Sequence, residues 1–407
     1  MPSLQGKQLV VTRIAILIVL TFALVAVLAH YASRIQSKLP QRDSIAYWSA
    51  AELLIHHSDP YNSASVLDLE RRHGYENPRP LVLRTPPWSL FMILPLAFFS
   101  PFWAWVAWLA VLVLCLMAGL RLCRRLYARD DVPANALTIV AYLFAPVAAC
   151  VVAGQMGLVL MLGIVLFLYL EQDHPFFAGA ALIFPLAKPH LLSLFWIVFI
   201  IWLLLRRKSR VASGLATAFA LANLLAVLFD PHIFQHYHTM LVQQNISNEF
   251  IPAFSGMLRL FFFRQYFWAQ FVPLAVGIVW IVLYVRANWS TWNWREHGPA
   301  LLVVSVFVTP YEWISDETIL FPAVLQAVVF VYTARNVLRL GSKLALFSFA
   351  LLDMLLLLIL RAQVPFSTGI YFWSSLVWLG WYFYARRVHR KFLNSGVPAS
   401  VAAQTVS

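Results

Sequence analysis

The chain has 407 residues, of which 61% are apolar and 12% are charged, and its mean hydropathy is +0.75. A soluble domain is usually about 45–50% apolar and about 25% charged, so too little polar surface remains here to cover a soluble particle. The net charge of +13 lies in short breaks between apolar segments, which argues against a nucleic-acid partner, and the three cysteines show neither metal-ligand spacing nor a disulfide framework.

The long apolar segments predict an all-α polytopic membrane protein with about twelve transmembrane helices. The first span, 10–31, contains an apolar run from Ile14 to Leu28 that is preceded by Lys7 and Arg13, and no small-residue cleavage site follows it, which favours a retained helix over a signal peptide. Segment 86–98 is apolar but short and is predicted to be re-entrant or interfacial. The remaining predicted spans are approximately 101–120, 135–150, 156–170, 175–187, 190–205, 213–229, 270–286, 299–311, 319–334, 344–360 and 370–385.

Orientation follows from the lysines and arginines of the connecting segments. With both termini in the cytoplasm, most of the 30 basic residues fall on the inner side, as is usual for a protein of the plasma (inner) membrane. Two long loops, about 32–85 and 230–267, then face outward. We predict one transmembrane domain over 1–393 and a disordered cytoplasmic tail over 394–407.

The first outer loop contains two candidate site residues and a predicted short interfacial helix, DSIAYWSAAELLIHH. Asp43 opens that helix, either as a helix cap or as a general base for an acceptor hydroxyl, and Arg42 beside it is a candidate substrate ligand. Arg84 precedes the sequence TPPW. It is either an interfacial arginine that reaches toward water or a clamp on a lipid phosphate.

Two further candidates lie between predicted spans. Gln155 sits in AGQMG, where Gly154 and Gly157 let backbones approach closely, so it either packs helices together or contacts a sugar or phosphate. Lys188 sits in FPLAKPHLL between two prolines, a setting that packing explains poorly. A phosphate-binding cation assisted by His190 is the better interpretation.

The segment VTPYEWISDETILFP carries the acidic residues Glu312, Asp316 and Glu317. They are either solvated in an outer loop or bind sugar hydroxyls or a divalent ion, or share in base catalysis. Their spacing matches no strong metal motif. The run HIFQHYH in the second outer loop is weak support for a metal ion, and we predict neither a metal site nor a cofactor.

The order of these motifs resembles glycosyltransferase family 87, which has the GT-C architecture. An acidic residue at a Trp-containing helix is followed by DPYN, TPPW with PLA, a GQ pair, KPH and a TP…D segment, over roughly 10–385. The resemblance implies a GT-C-like bundle, a polyprenyl-phosphate sugar donor, inversion and an extracytoplasmic site. It maps the family's catalytic carboxylate onto Asp43 and a later motif onto Thr309-Pro310 with Asp316. The chain departs from the family in having Glu312-Trp313 and no histidine there.

The sequence thus predicts transfer of a hexose, with mannose as the family-level expectation, to a lipid or glycan acceptor. Asp43 would be the base. The expected partners are the lipid-linked donor, the acceptor and membrane lipids, with no nucleic acid. A transporter or flippase of lipid-linked sugar, and a non-catalytic membrane scaffold, remain alternatives.

Overall fold

The computed structural model describes residues 43–129, 132–244 and 251–395. Within these ranges all regular secondary structure is helical and there is no β-strand. The predicted first span 10–31, the candidate Arg42 and almost all of the predicted tail 394–407 lie outside the described residues.

The described helices are numbered here in chain order. The α-helices are α1 (Asp43–Ile55), α2 (Ser63–Arg72), α3 (Pro101–Tyr127), α4 (Ala134–Leu143), α5 (Ala145–Ala153), α6 (Gly157–Leu170), α7 (Pro175–Ala181), α8 (Ser193–Leu205), α9 (Ser209–Phe229), α10 (Ile233–Gln243), α11 (Phe254–Phe262), α12 (Val272–Asn288), α13 (Trp294–Val308), α14 (Phe321–Ala334), α15 (Arg339–Arg361) and α16 (Ser374–Asn394). Short 3₁₀ helices cover Pro87–Met92, Leu94–Phe98, Pro185–Ala187, Pro189–Leu192, Phe267–Phe271, Trp289–Thr291, Asp316–Leu320 and Gly369–Tyr371.

Five helical segments are long and apolar enough to cross a membrane, namely Pro101–Tyr127, Ser209–Phe229, Phe267–Thr291, Asp316–Ala334 and Arg339–Arg361. Two bent pairs raise the number to seven if each pair is one span. The pairs are Asn135–Leu143 with Ala145–Ala153, bent by 47°, and Pro175–Ala187 with Pro189–Leu205, bent by 118°. The integral membrane class is supported, but the predicted count of about twelve is not confirmed. The reason is that prolines cut several apolar segments into short helices.

The interior of the bundle is built around α6 and α14, whose residues are almost all buried. Helix α6 packs against α3, α7 and the 3₁₀ helix Asp316–Leu320. By contrast, α9, α12 and α15 expose many leucines and valines. Apolar side chains exposed on long helices are expected to face lipid in a membrane protein.

Helix α1 differs from the predicted interfacial helix. All residues from Ser44 to Ala51 are buried, so the helix has no solvated face over this stretch. Trp48 is 5% exposed: its indole donates to the Phe99 carbonyl oxygen at 2.9 Å and its ring packs on His73. Segment 86–98 folds as two 3₁₀ helices, and the second of them, Leu94–Phe98, packs against α1, as do α2 and α3. The predicted first outer loop is therefore packed against neighbouring helices near its start.

Candidate active site

Four residues that are far apart in sequence form one hydrogen-bonded network. Gln155 Nε2 donates to Asp43 Oδ2 at 2.5 Å, and Lys188 Nζ donates to Gln155 Oε1 at 3.2 Å. Lys188 Nζ also donates to Asp316 Oδ1 at 2.6 Å. The network thus runs from the Asp43 carboxylate through the Gln155 amide and the Lys188 ammonium group to the Asp316 carboxylate. It links the start of α1 to the segment before α14. All four residues are candidates that the sequence predicted separately, and the structure brings them together.

The glycines of AGQMG explain how Gln155 reaches both neighbours. Gly154 ends α5 with φ of 74°, the left-handed region that glycine adopts most readily, and a Cβ there would lie 3.0 Å from Ser44 Cβ. A Cβ on Gly157 would lie 2.4 Å from Thr318 Oγ1. The two glycines thus allow α1 on one side and the Asp316 segment on the other to approach Gln155.

Lys188 and Asp316 form a buried ion pair. The Lys188 side chain is 11% exposed and that of Asp316 is fully buried. Pro185 and Pro189 each begin a 3₁₀ helix, and Lys188 lies between them with non-helical backbone angles. This break turns the lysine toward the network. The second carboxylate oxygen of Asp316 accepts the Trp313 N–H at 3.1 Å, so both oxygens of the buried anion have donors.

His190 and Arg84 lie at the margin of the network, next to Tyr311. The rings of His190 and Tyr311 meet edge to face with centroids 5.5 Å apart, and His190 Nε2 is buried without a hydrogen-bond partner. Arg84 Nε donates to Gln244 Oε1 at 3.3 Å. The charges of Arg84 and Lys188 both act electrostatically on the Tyr311 hydroxyl.

Glu312 is not joined by a hydrogen bond to any of the four network residues. It is 3% exposed, and burial raises the pKa of Glu312 well above its usual value, with the nearby Glu317 carboxylate adding to the rise. Glu317 instead accepts from Ser374 Oγ and from Trp378 Nε1, both on α16. The acidic segment is therefore divided: Asp316 faces the network, and the two glutamates face α16.

The histidine run near residue 236 contacts the segment that contains DPYN. His236 Nδ1 lies 2.7 Å from Asp230 Oδ2 and 3.8 Å from Asp59 Oδ1, the aspartate of DPYN. Among residues 43–129, 132–244 and 251–395, no group of three or more histidine, cysteine, aspartate or glutamate side chains is arranged to hold a metal ion. The contacts of His236 with Asp230 and Asp59 support a structural role for this histidine.

Sequence reasoning missed three residues of the site: Tyr47, Tyr311 and Gln244. The Tyr47 hydroxyl donates to Gln155 Oε1 at 3.0 Å, so the amide oxygen accepts from both Tyr47 and Lys188. A signal for Tyr47 was present, because it lies four residues after Asp43 and hence one helical turn along α1. Tyr311 and Gln244 carry no comparable signal, since only the fold brings them near Lys188 and Arg84.

Fold and site together define a helical integral membrane protein with a buried polar network where apolar helices begin or break. The sequence profile of glycosyltransferase family 87 matches residues 85–311, more than half of the chain. The chain therefore belongs to this family and is a membrane glycosyltransferase. No curated protein and no solved structure matches it. The matched range contains Gln155, Lys188 and His190, whereas Asp43, Arg84 and Asp316 lie outside it.

Proposed function

We propose that the protein transfers a hexose, with mannose as the first candidate, from a polyprenyl phosphate to a lipid or glycan hydroxyl at the extracytoplasmic face. The observation that carries this proposal is the network Asp43–Gln155–Lys188–Asp316, in which a carboxylate and a cation are held on opposite sides of one amide. A transfer of this kind requires a base for the acceptor and a cation for the departing phosphate.

In the proposed reaction the acceptor hydroxyl oxygen attacks C1 of the sugar, and its proton passes to the Asp43 carboxylate. The bond from C1 to the phosphate oxygen breaks as the new bond forms, so a single displacement inverts the anomeric centre. The leaving phosphodiester becomes a phosphate monoester and gains negative charge. Lys188 and Arg84 would stabilise that charge in the transition state, where such interactions lower the barrier.

Gln155 is the proposed positioning residue of this site. Its amide nitrogen donates to Asp43, which fixes the orientation of the proposed proton acceptor. Its amide oxygen accepts from Lys188, so the distance between the base and the cation is set by one side chain. Asp316 holds Lys188 from the other side and would also contact sugar hydroxyls, and His190 would contact the phosphate from the margin.

The donor assignment rests on the combination of cations and membrane setting. In the proposed reaction a lipid phosphate would enter from the bilayer beside the break at Lys188, and it would leave without a nucleotide. The chain contains no Gly-rich phosphate loop. A transporter or flippase would use buried charge along a path near the bilayer midplane, whereas the network here lies where α1 and the segment before α14 begin.

The test uses the purified full-length protein in sealed proteoliposomes that contain acceptor lipids. Polyprenyl-phosphate mannose, polyprenyl-phosphate glucose and GDP-mannose are supplied in turn, each with a radiolabelled sugar, and both the product lipid and the movement of unreacted donor are measured. We expect labelled glycolipid only when a polyprenyl-phosphate sugar is the donor. NMR of the product should show that the anomeric configuration of the sugar is inverted relative to the donor.

Three outcomes would contradict the proposal in different ways. Label transfer from GDP-mannose would overturn the lipid-donor assignment, and retention of configuration would overturn the single displacement. Donor movement across the bilayer without any product would favour the transporter.

A further inference from the structure

A second site lies at the other end of the molecule, in a groove between α12 and α16. The groove has a volume of about 660 Å³ and is lined by Trp280, Tyr284, Phe383, Arg386, Arg387 and Arg390. We call it the α12/α16 groove. Its lining combines aromatic rings with three guanidinium groups and contains no carboxylate.

The groove is remote from the candidate active site. Ser374 at the start of α16 donates to Glu317, the neighbour of Asp316, and Arg386 follows twelve residues later on the same helix. At 1.5 Å per residue, Arg386 lies roughly 18 Å further along the helix axis. The two sites therefore sit near opposite ends of α16.

The arginines of the groove have no paired carboxylate: Glu296 acts on Arg386 electrostatically but forms no ion pair with it within the described residues. Arg386 is 7% exposed, and its Nη1 donates to the Tyr284 hydroxyl at 2.8 Å while its guanidinium also packs over the Tyr284 ring. A neutral phenol is an incomplete partner for a buried cation. Within residues 43–129, 132–244 and 251–395, none of Arg386, Arg387 and Arg390 forms an ion pair.

The spacing along α16 increases this electrostatic cost. Arg386 and Arg390 are four residues apart, so they lie on the same face of the helix, where like charges destabilise it. Helix α16 ends at Asn394, and the helix dipole offsets positive charge mainly in the last turn. Arg386 gains little from that effect. A bound anion would satisfy both arginines.

The aromatic wall and the surroundings indicate what kind of anion fits. Trp280 and Tyr284 stack with ring centroids 4.8 Å apart, and Phe383 meets Trp280 from α16 at 6.3 Å. On α12, Val276, Val279, Val282 and Leu283 are each at least 60% exposed. An apolar, lipid-facing surface thus leads directly into a basic groove.

We propose that the α12/α16 groove binds the phosphate headgroup of an acidic phospholipid, with Arg387 and Arg390 at the phosphate and Trp280 and Phe383 beside the glycerol and acyl chains. A lipid fits better than a soluble anion because the aromatic wall continues into the lipid-facing surface of α12. This binding is separate from sugar transfer and does not depend on the donor proposed above.

The test compares the full-length wild type with two double variants in a neutral detergent. The groove variant is Arg387→Gln/Arg390→Gln, and the matched control is Arg121→Gln/Arg210→Gln, which removes two exposed basic charges on the same predicted side but outside the groove. All four arginines are exposed, so both variants should fold, and melting temperatures check this. Native mass spectrometry then measures binding of phosphatidylglycerol and phosphatidylcholine, with and without millimolar inorganic phosphate.

We expect wild type and control to prefer phosphatidylglycerol, and the groove variant to lose about tenfold or more of that preference, since each basic residue near an anionic lipid contributes about 1 kcal/mol. Equal losses in the two double variants would overturn the proposal by showing diffuse charge attraction. Displacement of the lipid by inorganic phosphate would also overturn it and assign the groove to a soluble anion.

Discussion

The ion pair between Lys188 and Asp316 sets the chemistry of the network. Two charges buried this deeply lose much of their hydration, and an apolar pair of similar volume is often as stable or more stable. Stability alone therefore gives little reason for a lysine at this position. The proposed stabilisation of the leaving group explains the lysine better, because a fixed ammonium group beside Gln155 needs no reorganisation when the phosphate departs.

Removing only one charge should damage the fold as well as activity. We expect Lys188→Met to lower the free energy of unfolding by about 3–5 kcal/mol, because it leaves the buried Asp316 carboxylate without its cation. The double variant Lys188→Met/Asp316→Asn should regain most of that stability, since asparagine keeps an acceptor for the Trp313 N–H and is neutral. Denaturation in detergent measures both.

Sugar transfer by the same double variant separates structure from catalysis. If Lys188 stabilises the leaving phosphate, the double variant folds well and remains inactive. A stable double variant with wild-type transfer would show that Lys188 serves the fold alone.

At the scale of elements, AGQMG is the turn on which the site depends. A side chain at Gly154 would have to adopt φ of 74° and would press on Ser44, and a side chain at Gly157 would press on the Ser315 carbonyl oxygen at 2.5 Å. We expect Gly154→Ala and Gly157→Ala each to lower stability by about 1–3 kcal/mol. Both should also reduce transfer, because α1 and the Asp316 segment move away from Gln155.

Gly380 provides the matched control for these two glycines. It lies within α16, and a Cβ there would meet nothing within 4 Å. Gly380→Ala should therefore raise stability by about 0.5–1 kcal/mol, as expected for a helix interior. Similar changes in stability at Gly154, Gly157 and Gly380 would contradict the close approach of α1 and the Asp316 segment to Gln155.

Helix α2 is fixed to the following segment through Glu70. This side chain is fully buried and accepts the Leu81 N–H with both carboxylate oxygens, at 3.3 and 3.2 Å. Burial raises the pKa of Glu70 from 4.5 to about 7. The folded state thus holds a proton that the unfolded chain has already released, so the contribution of Glu70 to stability falls as the pH rises between these two values.

The measurement is the melting temperature of wild type and Glu70→Gln from about pH 5 to about pH 8. We expect the wild type to lose stability across this range and the variant to lose less, because glutamine keeps an acceptor without a titrating proton. Parallel pH profiles would contradict a buried, protonated Glu70.

Sequence predicted the parts of the site whose local pattern is itself unusual. Gln155 stood out between two glycines, and Lys188 stood out between two prolines in an apolar run. The burial of α1 could not be predicted, since its partners come from segment 86–98 and other parts of the chain. The pairing of Lys188 with Asp316 likewise depends on tertiary packing between distant segments. The lengths of the helices were predicted least well, because proline residues determine where an apolar segment is divided into separate helices.

At the scale of the whole molecule, the polar network and the basic groove define two ends. If the network faces outward, as the distribution of lysines and arginines predicts, then α2 is extracytoplasmic and the end of α16 is cytoplasmic. Single cysteines can test this, because the three native cysteines are all buried. Ser65→Cys and Ser395→Cys place thiols at exposed positions on α2 and just after α16.

A membrane-impermeant maleimide applied to intact spheroplasts should label Ser65→Cys and should label Ser395→Cys only after lysis. Unmodified protein should remain unlabelled in both conditions. The reverse pattern would invert the orientation and move the proposed transfer to the cytoplasmic face.

In the proposed mechanism Asp43 is the base of a sugar transfer carried out by this membrane bundle. The most direct measurement is transfer from radiolabelled polyprenyl-phosphate mannose to membrane lipids by purified wild type and Asp43→Asn, with melting temperatures to confirm that both are folded. Asparagine cannot accept the hydroxyl proton, so we expect labelled product from wild type and a loss of about 10²-fold or more in Asp43→Asn. Full transfer by a folded Asp43→Asn protein would contradict the proposed mechanism.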